Sequence, residues 1–492
     1  MKKEVGLADR AGFLVIGNSA QMLSSMLAWV ALARLLSNKA DFGAYRQAWL
    51  PYNLLFPVVT IGLPISMLYF LPRLEAGARK PFVRRTSTVL FCLGVLLTGG
   101  LWAAAPAIAA AFHNRALVLY IRVFAFYALL SHPIAHVQQV LVAYGRHSAA
   151  AWFTGLVAVF QSASAVAAAW LTRAVEWALA AVVLSSVPAA AIGLALMELG
   201  PAADPAKQLP SLRVHLSYSA PVALSGLVLA FARQIGQVVV SVFYTATRFA
   251  VYAVGAFEVP VLGAFTGSIV TTLLPVFSDL SQGDKWPELM AVWHESIRKL
   301  SLVIFPLFVM LLVLADQIVV VLFSRSYAES ALIFRIFLLL LPMRITVYSS
   351  LLQATGRTRS LAVGAAGFLV ATVVLSVALA RMVGIAGPAA ALVVSQYGLA
   401  TYYLIEVCRL AKTGLRAIMP WGEVNRIFAL AAAIGAVMFP FTRMHFNPVL
   451  VIAICVPLYL GLFWFGLRRL GLVRQRDLDL LRRWASLSVL AR

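Results

Sequence analysis

Apolar stretches of 18 residues or more recur from one end of the chain to the other. A helix of that length matches the hydrocarbon thickness of a bilayer, about 30 Å. Runs such as 302–314 and 449–467 do not alternate between apolar and polar residues, as the strands of a membrane barrel would. Charged residues make up only 12% of the chain, against about 25% in a soluble domain. The sequence therefore predicts an all-α polytopic membrane protein.

Turn residues and charges divide the apolar sequence into fourteen predicted spans. Their boundaries are 11–35, 44–72, 87–111, 116–143, 148–171, 175–197, 215–243, 249–278, 300–324, 330–353, 360–380, 386–408, 427–442 and 447–467. Because the number of spans is even, both termini should lie on the same side of the membrane.

The distribution of lysine and arginine indicates which side that is. Of the 40 basic residues, 27 lie at the N-terminus, in alternate loops and in the C-terminal tail, seven lie in the opposite loops, and six lie within the spans. Cytoplasmic loops carry the excess of basic residues, so we expect both termini in the cytoplasm. The net charge of +22 then mainly reflects the excess of lysine and arginine in the cytoplasmic segments. It would face anionic membrane lipids, and we expect no binding of nucleic acid.

Several residues recur in the same order roughly 200 positions later in the chain. The pairs are Phe42 and Phe249, Tyr45 and Tyr252, Leu74 and Leu280, Gly77 and Gly283, Pro133 and Pro342, Gly145 and Gly356, Arg146 and Arg357, and Ser148 and Ser360, at offsets of 206 to 212. Six predicted spans separate the copies, so both copies cross the membrane in the same direction. This pattern predicts a parallel repeat of two six-helix lobes, followed by two further helices.

The predicted domain organisation follows from this repeat. It consists of an N-lobe (1–198), a Pro-rich linker (199–214), a C-lobe (215–411), the thirteenth and fourteenth spans (412–467) and a basic amphipathic cytoplasmic tail (468–492). The tail interleaves leucines and a tryptophan with arginines, as an interfacial helix does.

Two long segments of the sequence resemble a known family. LARLLSNKADFGAYRQAWLPYNLLF, followed by TIGLPISMLYFLPRLEAG, resembles the first helix pair of Wzx-type polysaccharide flippases, and RFAVYAVGAFEVPVLGAF and the two Gly-Arg turns are similar to that family too. The resemblance covers nearly the whole chain. The family is part of the multidrug/oligosaccharidyl-lipid/polysaccharide (MOP) exporter superfamily, which implies a MATE-like fold with two lobes around a central cavity.

The resemblance also implies a function. A protein of this family would move an undecaprenyl-diphosphate-linked oligosaccharide from the cytoplasmic to the periplasmic leaflet of the bacterial inner membrane by alternating access. The oligosaccharide would then serve the assembly of a surface polysaccharide or exopolysaccharide. A polysaccharide polymerase and a chain-length regulator are the partners expected from this role.

Two related transporters and one enzyme class remain alternatives. A MurJ-like lipid II flippase would carry the same polyprenyl diphosphate anchor. A MATE-like ion-coupled antiporter handles cationic substrates through membrane acids, whereas six arginines lie within the spans here. A polymerase or acyltransferase would need a long outward loop, and every outward loop has about ten residues or fewer. No Walker-type loop, nucleophile elbow or HExxH motif occurs, so we expect no catalytic residue and no cofactor.

Charged side chains within the spans are the first candidates for substrate contact, because each costs roughly 2.5 to 3.5 kcal/mol at the centre of a membrane. Arg233 lies on the seventh span beside Gln234, with Gln237 one turn further on. Glu258 lies at a similar depth on the eighth span. We expect Arg233 to bind the diphosphate and Glu258 to be its counter-ion; a purely structural ion pair is the alternative.

The first two spans and the tenth carry the remaining candidates, which are Asn18, Gln21, Arg46, Gln47, Asn53 and Arg344. The amides and Arg46 would line an aqueous cavity for the sugar, and interhelical hydrogen bonding is the alternative role. Arg344 follows Pro342, near the position that His136 takes in the fourth span, and is the second candidate for anion contact.

The pair His132 and His136 has the spacing of two metal ligands on one helix face. Pro133 lies between them, and neither cysteine nor carboxylate is nearby in the sequence. We therefore expect no metal site.

Overall fold

The computed structural model describes residues 7–200, 202–204, 207–257, 273–281, 285–444, 446–472 and 474, and all regular structure among them is helical. The α-helices are α1 (Leu7–Leu35), α2 (Lys39–Thr60), α3 (Leu63–Arg73), α4 (Ala76–Ala111), α5 (Leu117–Ser131), α6 (Val137–Ala143), α7 (His147–Thr172), α8 (Val175–Met197), α9 (Leu212–Phe243), α10 (Ala246–Gly255), α11 (Trp286–Val313), α12 (Ala315–Phe323), α13 (Ser330–Leu338), α14 (Tyr348–Ala354), α15 (Thr358–Val383), α16 (Gly387–Ala411), α17 (Leu415–Ile418), α18 (Trp421–Thr442) and α19 (Pro448–Arg469).

Twelve helical segments in the described ranges are long and apolar enough to cross a membrane. One of them, Thr358–Ala411, has 54 residues and contains both α15 and α16. The predicted eighth span falls largely on residues 258–272, which lie outside the described ranges, as does most of the predicted tail. The prediction of an all-α multi-pass membrane protein is confirmed, and the number fourteen stays a prediction.

Apart from the eighth, four predicted spans are not continuous helices among the described residues, and the ninth is interrupted only at Leu314, between α11 and α12. The second breaks between α2 and α3 at Ile61 and Gly62, which have left-handed φ angles of 48° and 69°. The fourth contains a 3-10 turn at His132–Ile134, and the tenth contains another at Pro342–Ile345. Both turns have a proline at the start, which has no N–H to donate to the preceding helical turn.

Two predicted boundaries are wrong by more than ten residues. The third span begins at Ala76, where 87 was expected, and the ninth begins at Trp286, where 300 was expected. The first turns of α4 carry Arg79, Lys80, Arg84 and Arg85, and α11 begins with a mixture of charged residues, Glu288, Glu295, Arg298 and Lys299. A hydropathy criterion excludes both stretches although their backbone is helical.

The backbone repeats at the positions where the sequence repeats. Gly145 and Gly356, one residue before each matched arginine, have φ angles of 73° and 72°. Asn38 caps α2 by accepting a hydrogen bond from the Asp41 amide, and Thr245 caps α10 by accepting one from the Arg248 amide. Such agreement in local geometry supports the parallel repeat.

The chain divides into two compact units. The first comprises 1–268 and 365–395, and the second 269–364 and 396–492. These units differ from the predicted lobes because α9 and α10 belong to the first unit. The division into lobes therefore stays a prediction.

Small residues allow the helices of the first unit to pack closely. A Cβ on Gly17 of α1 would lie 2.6 Å from the Ala151 carbonyl oxygen of α7, and Gly155 of α7 faces Ala20. Close backbone approach of this kind is the usual way in which membrane helices associate.

An ion-pair network forms part of the core of the second unit, where α11 packs against α18. Arg298 is 2% exposed and donates to Glu295 at 2.8 Å. Arg474 donates to both Glu295 and Glu423, at 2.9 and 2.7 Å. The Trp293 indole donates to the Ile418 carbonyl at 2.9 Å. Each charge in this group has an opposite charge beside it, so we assign the group a structural role.

Candidate substrate site

Helices α2 and α9 lie side by side in the first unit and run antiparallel. Gly43 packs against Ala246, just after α9, and Gly62 packs against Ser219 at the other end of the helix pair. A Cβ on Gly62 would lie 2.6 Å from the Ser219 carbonyl oxygen. The predicted polar residues of the two helices, which are Arg46, Gln47, Asn53, Arg233, Gln234 and Gln237, all fall between these two points of contact.

Arg233 has an exposed side chain, and Gln234 and Gln237 are half-buried. The side of α9 next to Arg233 is packed, since Gly236, one turn further on, faces Tyr252 and Pro388. The side-chain amide oxygen of Gln234, Oε1, is buried and has no hydrogen-bond partner within the described ranges. Arg233 is ten residues from the end of α9 at Phe243, roughly 15 Å along the helix axis. A guanidinium at that depth must face water or an anion, because contact with lipid tails costs several kcal/mol.

Glu258, the predicted counter-ion, lies outside the described residues. Its pairing with Arg233 stays a prediction. Within the part of the chain that the structure describes, salt bridges join other arginines and lysines to carboxylates, such as Arg335 to Asp316 at 2.7 Å and Lys80 to Glu198 at 2.8 Å.

Arg46 has an aromatic partner that the sequence analysis did not predict. Its guanidinium carbon lies 3.8 Å from the centre of the Trp29 ring of α1. Because α2 begins at Lys39, Arg46 falls in the second turn of that helix. Gln47 beside it is fully buried and accepts a hydrogen bond of 3.4 Å from Asn114, whereas Asn53 is half-buried further along α2. Arg46 and Gln47 therefore lie further from the start of their helix than the predicted span, which begins at residue 44, implied.

The polar residues of α1 lie on its open side. Asn18 and Gln21 are exposed, and the Asn18 side-chain oxygen accepts a hydrogen bond of 3.0 Å from Gln138. The glycine face of α1 is turned to α7. This arrangement is compatible with the predicted lining of an aqueous cavity.

Arg344 belongs to the second unit. It lies in the 3-10 turn at Pro342–Ile345, is half-buried and has interactions of its own. His136, at a similar place in the first repeat, precedes α6 and is fully buried.

No cluster of three or more metal-ligating side chains occurs in the described ranges. The ring nitrogen Nδ1 of His132 is 2.9 Å from the Ala128 carbonyl oxygen, and Nε2 of His136 is 3.2 Å from the Ser87 hydroxyl. The two imidazoles thus bond to separate protein groups.

The fold is that of MOP-superfamily transporters. The lipid II flippase MurJ in an inward closed conformation has a TM-score of 0.73 and 15% identity, over 92% of this chain and 97% of that chain. An inward-facing multidrug resistance MATE family transporter has a TM-score of 0.61 and 17% identity, over 80% and 96%. A MOP-superfamily transporter from Pyrococcus furiosus has a TM-score of 0.57 and 17% identity, over 82% and 97%. At these identities the likeness concerns the fold.

The family is shown by the sequence itself. The family model described as "Polysaccharide biosynthesis protein" matches residues 31–332, and the chain belongs to this family. No curated protein sequence matches the chain.

Proposed function

We propose that this protein is a flippase that moves an undecaprenyl-diphosphate-linked oligosaccharide repeat unit from the cytoplasmic to the periplasmic leaflet. Alternating access would bring the unit across, for the assembly of a surface polysaccharide or exopolysaccharide. Membership of the polysaccharide biosynthesis family and a transporter fold support this proposal. The observation that carries it is the exposed guanidinium of Arg233 within a spanning helix.

Arg233 provides the chemistry that a diphosphate requires. A guanidinium can donate two parallel hydrogen bonds to phosphate oxygens, which an ammonium cannot do. Amide side chains can both donate to and accept from sugar hydroxyls. In the proposed site these are Gln234 and Gln237 of α9, Asn53 and Gln47 of α2, and Asn18 and Gln21 of α1, while Arg46 and Arg344 are further anion contacts and Glu258 is the counter-ion of Arg233.

The proposal includes the setting of the protein. Both termini would lie in the cytoplasm, and the membrane would be the bacterial inner membrane. The basic segment 73–85, which includes the first turns of α4, and the tail would contact anionic lipids. A polysaccharide polymerase and a chain-length regulator would take over the product in the periplasm.

A MurJ-like lipid II flippase is the second candidate. The likeness to MurJ over 92% of the chain favours it, and the diphosphate anchor would be bound by the same arginine. A MATE-like ion-coupled antiporter is the third, favoured by the fold alone.

The test replaces the chromosomal gene by variants and measures surface polysaccharide at matched protein level. Arg233→Ala should lower it by roughly tenfold or more, since losing one charge-assisted hydrogen bond costs about 1.5 to 3 kcal/mol. Arg233→Lys should restore part of the loss. Arg426→Ala, which removes an exposed arginine from the first turns of α18, is the matched control and should have no effect.

The lipid extracts of the same strains separate the alternatives. Retention of the lipid-linked repeat unit on the cytoplasmic face supports the proposal, and accumulation of lipid II favours the second candidate. Absence of the repeat unit while its glycosyltransferases are expressed contradicts any flippase role. If the double variant Arg233→Ala, Glu258→Ala regains activity, the pair is structural, and Arg46 and Arg344 become the next candidates.

A further inference from the structure

Among the described residues, three histidines are fully buried and pack along one helix. His132, His136 and His215 are 0%, 0% and 1% exposed, and all three lie against α4 in the first unit. The sequence separates His215 from the other two by about 80 residues.

His215 lies at one end of this row. Its Nε2 is 2.6 Å from the Ser66 hydroxyl, which itself donates to the Leu63 carbonyl at 2.7 Å. The hydroxyl therefore accepts from Nε2–H, and Nδ1 is left as the nitrogen that can bind a proton. The imidazole packs on the rings of Phe70 and Phe82, with centroid distances of 5.1 and 4.8 Å.

His132 lies at the other end of the row. Its Nδ1–H donates to the Ala128 carbonyl at 2.9 Å, since a carbonyl can only accept. Its Nε2 is buried and has no hydrogen-bond partner within the described residues. The ring lies edge-on to Tyr52 and Phe56 of α2, and the Tyr52 hydroxyl is 2.9 Å from that of Ser131.

Contacts with α4 give the order of the three imidazoles. His215 packs at Phe82, His136 bonds to Ser87, and the Cβ of His132 is 3.1 Å from the position of a Cβ on Gly94. Twelve residues of helix from Phe82 to Gly94 cover about 18 Å. The row therefore runs from the end of α4 that is predicted to be cytoplasmic to the middle of that helix, where it meets Tyr52, next to Asn53 of the proposed site.

The charged and titratable groups that face the row are few. Arg85 of α4 is next to His215, and two of its guanidinium nitrogens are buried without a hydrogen-bond partner in the described ranges. His136 and His215 are near enough to interact electrostatically, and the ring of Tyr52 lies edge-on to that of His132. Tyr218 of α9 stacks on Tyr69 of α3 beside Phe70. Because the charged neighbours are cationic, a proton on one imidazole disfavours a second proton on the next.

Core packing would not need histidines at these three places. Aliphatic or aromatic side chains fill such positions without burying ring nitrogens, and an intramembrane ionisable group is a functional hypothesis by default. Imidazole is also a side chain that can take up and release a proton at one ring nitrogen while the other keeps its hydrogen bond.

We propose that His132, His136 and His215 form a proton-binding row that couples substrate export to the proton gradient. His132 binds one proton at Nε2 when the middle of α4 is accessible, and the proton leaves through His136 and His215 towards the cytoplasm. Each imidazole gains and returns one proton, so no other reactant is needed. The inference extends the proposed flippase function by naming its energy source.

The proton itself is the probe in the test. The full chain in proteoliposomes on a solid-supported membrane is given pH jumps without substrate, and the displaced charge is recorded. We expect a transient current that protein-free liposomes lack, loss of most of it in His132→Gln, and a shifted pH midpoint in Ser66→Ala, which keeps all three histidines. The control is His294→Gln, since His294 bonds to the Ala417 carbonyl in the second unit.

Each outcome decides the matter. Wild-type currents equal to those of protein-free liposomes overturn the proposal, and so does an unchanged current in His132→Gln. If His132→Gln does not insert, the Ser66→Ala midpoint decides alone.

Surface polysaccharide measured with and without a protonophore separates the two proposals. Export that ignores the protonophore overturns the coupling and leaves the flippase function standing, whereas a wild type without export overturns the flippase function while the currents still report proton binding.

Discussion

Two helices are broken by a 3-10 turn, one in each sequence repeat, and they share a proline and a following glycine but differ in chemistry. In the first, α5 and α6 flank a 3-10 turn that begins at His132. In the second, α13 and α14 flank a turn that begins at Pro342. Each is followed by a glycine with a positive φ, Gly145 or Gly356. A proline and a following glycine are thus present at both breaks, whereas the basic side chains there differ.

The two breaks differ in whether their basic side chains can lose a proton. The first break carries His132 and His136, whose imidazoles can exist with or without a bound proton. The second carries Arg344, which stays charged at any physiological pH. One repeat is therefore suited to binding and releasing protons, and the other to holding an anion.

The largest expected effect comes from removing the permanent charge. Arg344→Ala should lower surface polysaccharide by roughly tenfold or more at every pH, because one charge-assisted hydrogen bond is worth about 1.5 to 3 kcal/mol. His136→Gln should lower it less and should flatten its dependence on external pH. Arg359→Ala, at an exposed position of α15, is the control. A pH-dependent defect in Arg344→Ala, or a pH-independent one in His136→Gln, would contradict the division of roles.

The glycines that follow the two breaks predict a smaller effect, on stability, which should be equal in the two repeats. Gly145→Ala and Gly356→Ala should each destabilise the fold by about 1 kcal/mol, because alanine is strained at positive φ while neither glycine has a neighbour within 4 Å. Thermal unfolding in detergent measures this. Gly99→Ala, in an open position inside α4, should instead stabilise by about 0.5 to 1 kcal/mol. Unequal losses at the two turns would mean that the copies no longer share their backbone requirement.

The smallest effect is expected where the repeats end. Glu198 follows α8 and pairs with Arg84 at 2.6 Å and Lys80 at 2.8 Å; Glu406 of α16, 208 positions later, bonds to Ser360 and Arg409. The Arg84 guanidinium, together with Lys80, holds the pKa of the Glu198 carboxyl at about 2. The pair is partly exposed, so Glu198→Gln should cost less than about 1 kcal/mol of stability at neutral pH.

The dependence on pH has a definite sign. Since the pKa of Glu198 is lowered by folding, its contribution is present above about pH 4.5 and is lost as the pH falls towards 2. Between neutral pH and this acid range, the free energy of unfolding of Glu198→Gln should therefore depend less on pH than that of the wild type. Glu406→Gln should have a similarly small cost at neutral pH, and a cost above 2 kcal/mol at either site would contradict the comparison.

Hydropathy and the repeated residues were sufficient to predict the helical class and most of the spans. They could not predict the break at Ile61 and Gly62, because a left-handed turn changes the backbone without changing the average polarity. They also missed the early start of α4 at Ala76, since basic residues near a membrane surface are compatible with a helix but lower its hydropathy.

Contacts between distant helices explain what was missed in the candidate site. The stacking of Arg46 on Trp29 and the bond from His215 to Ser66 join residues on different helices, and the sequence carries no local signal for either. The polar residues around Arg233 were predicted because they share one helix and recur at helical spacing. Periodicity therefore predicts which residues share one face of a helix, but it does not predict which other helix that face contacts.

The backbone contact between Gly43 and Ala246 has a consequence for handling the protein. A single added methyl group at residue 43 would overlap the Ala246 carbonyl, so it would act as a wedge against every conformation in which those two backbones touch, and against no other. Residue 43 is thus a place where the balance of conformations can be adjusted without altering a charge or a polar side chain, which is the property needed for preparing a homogeneous sample.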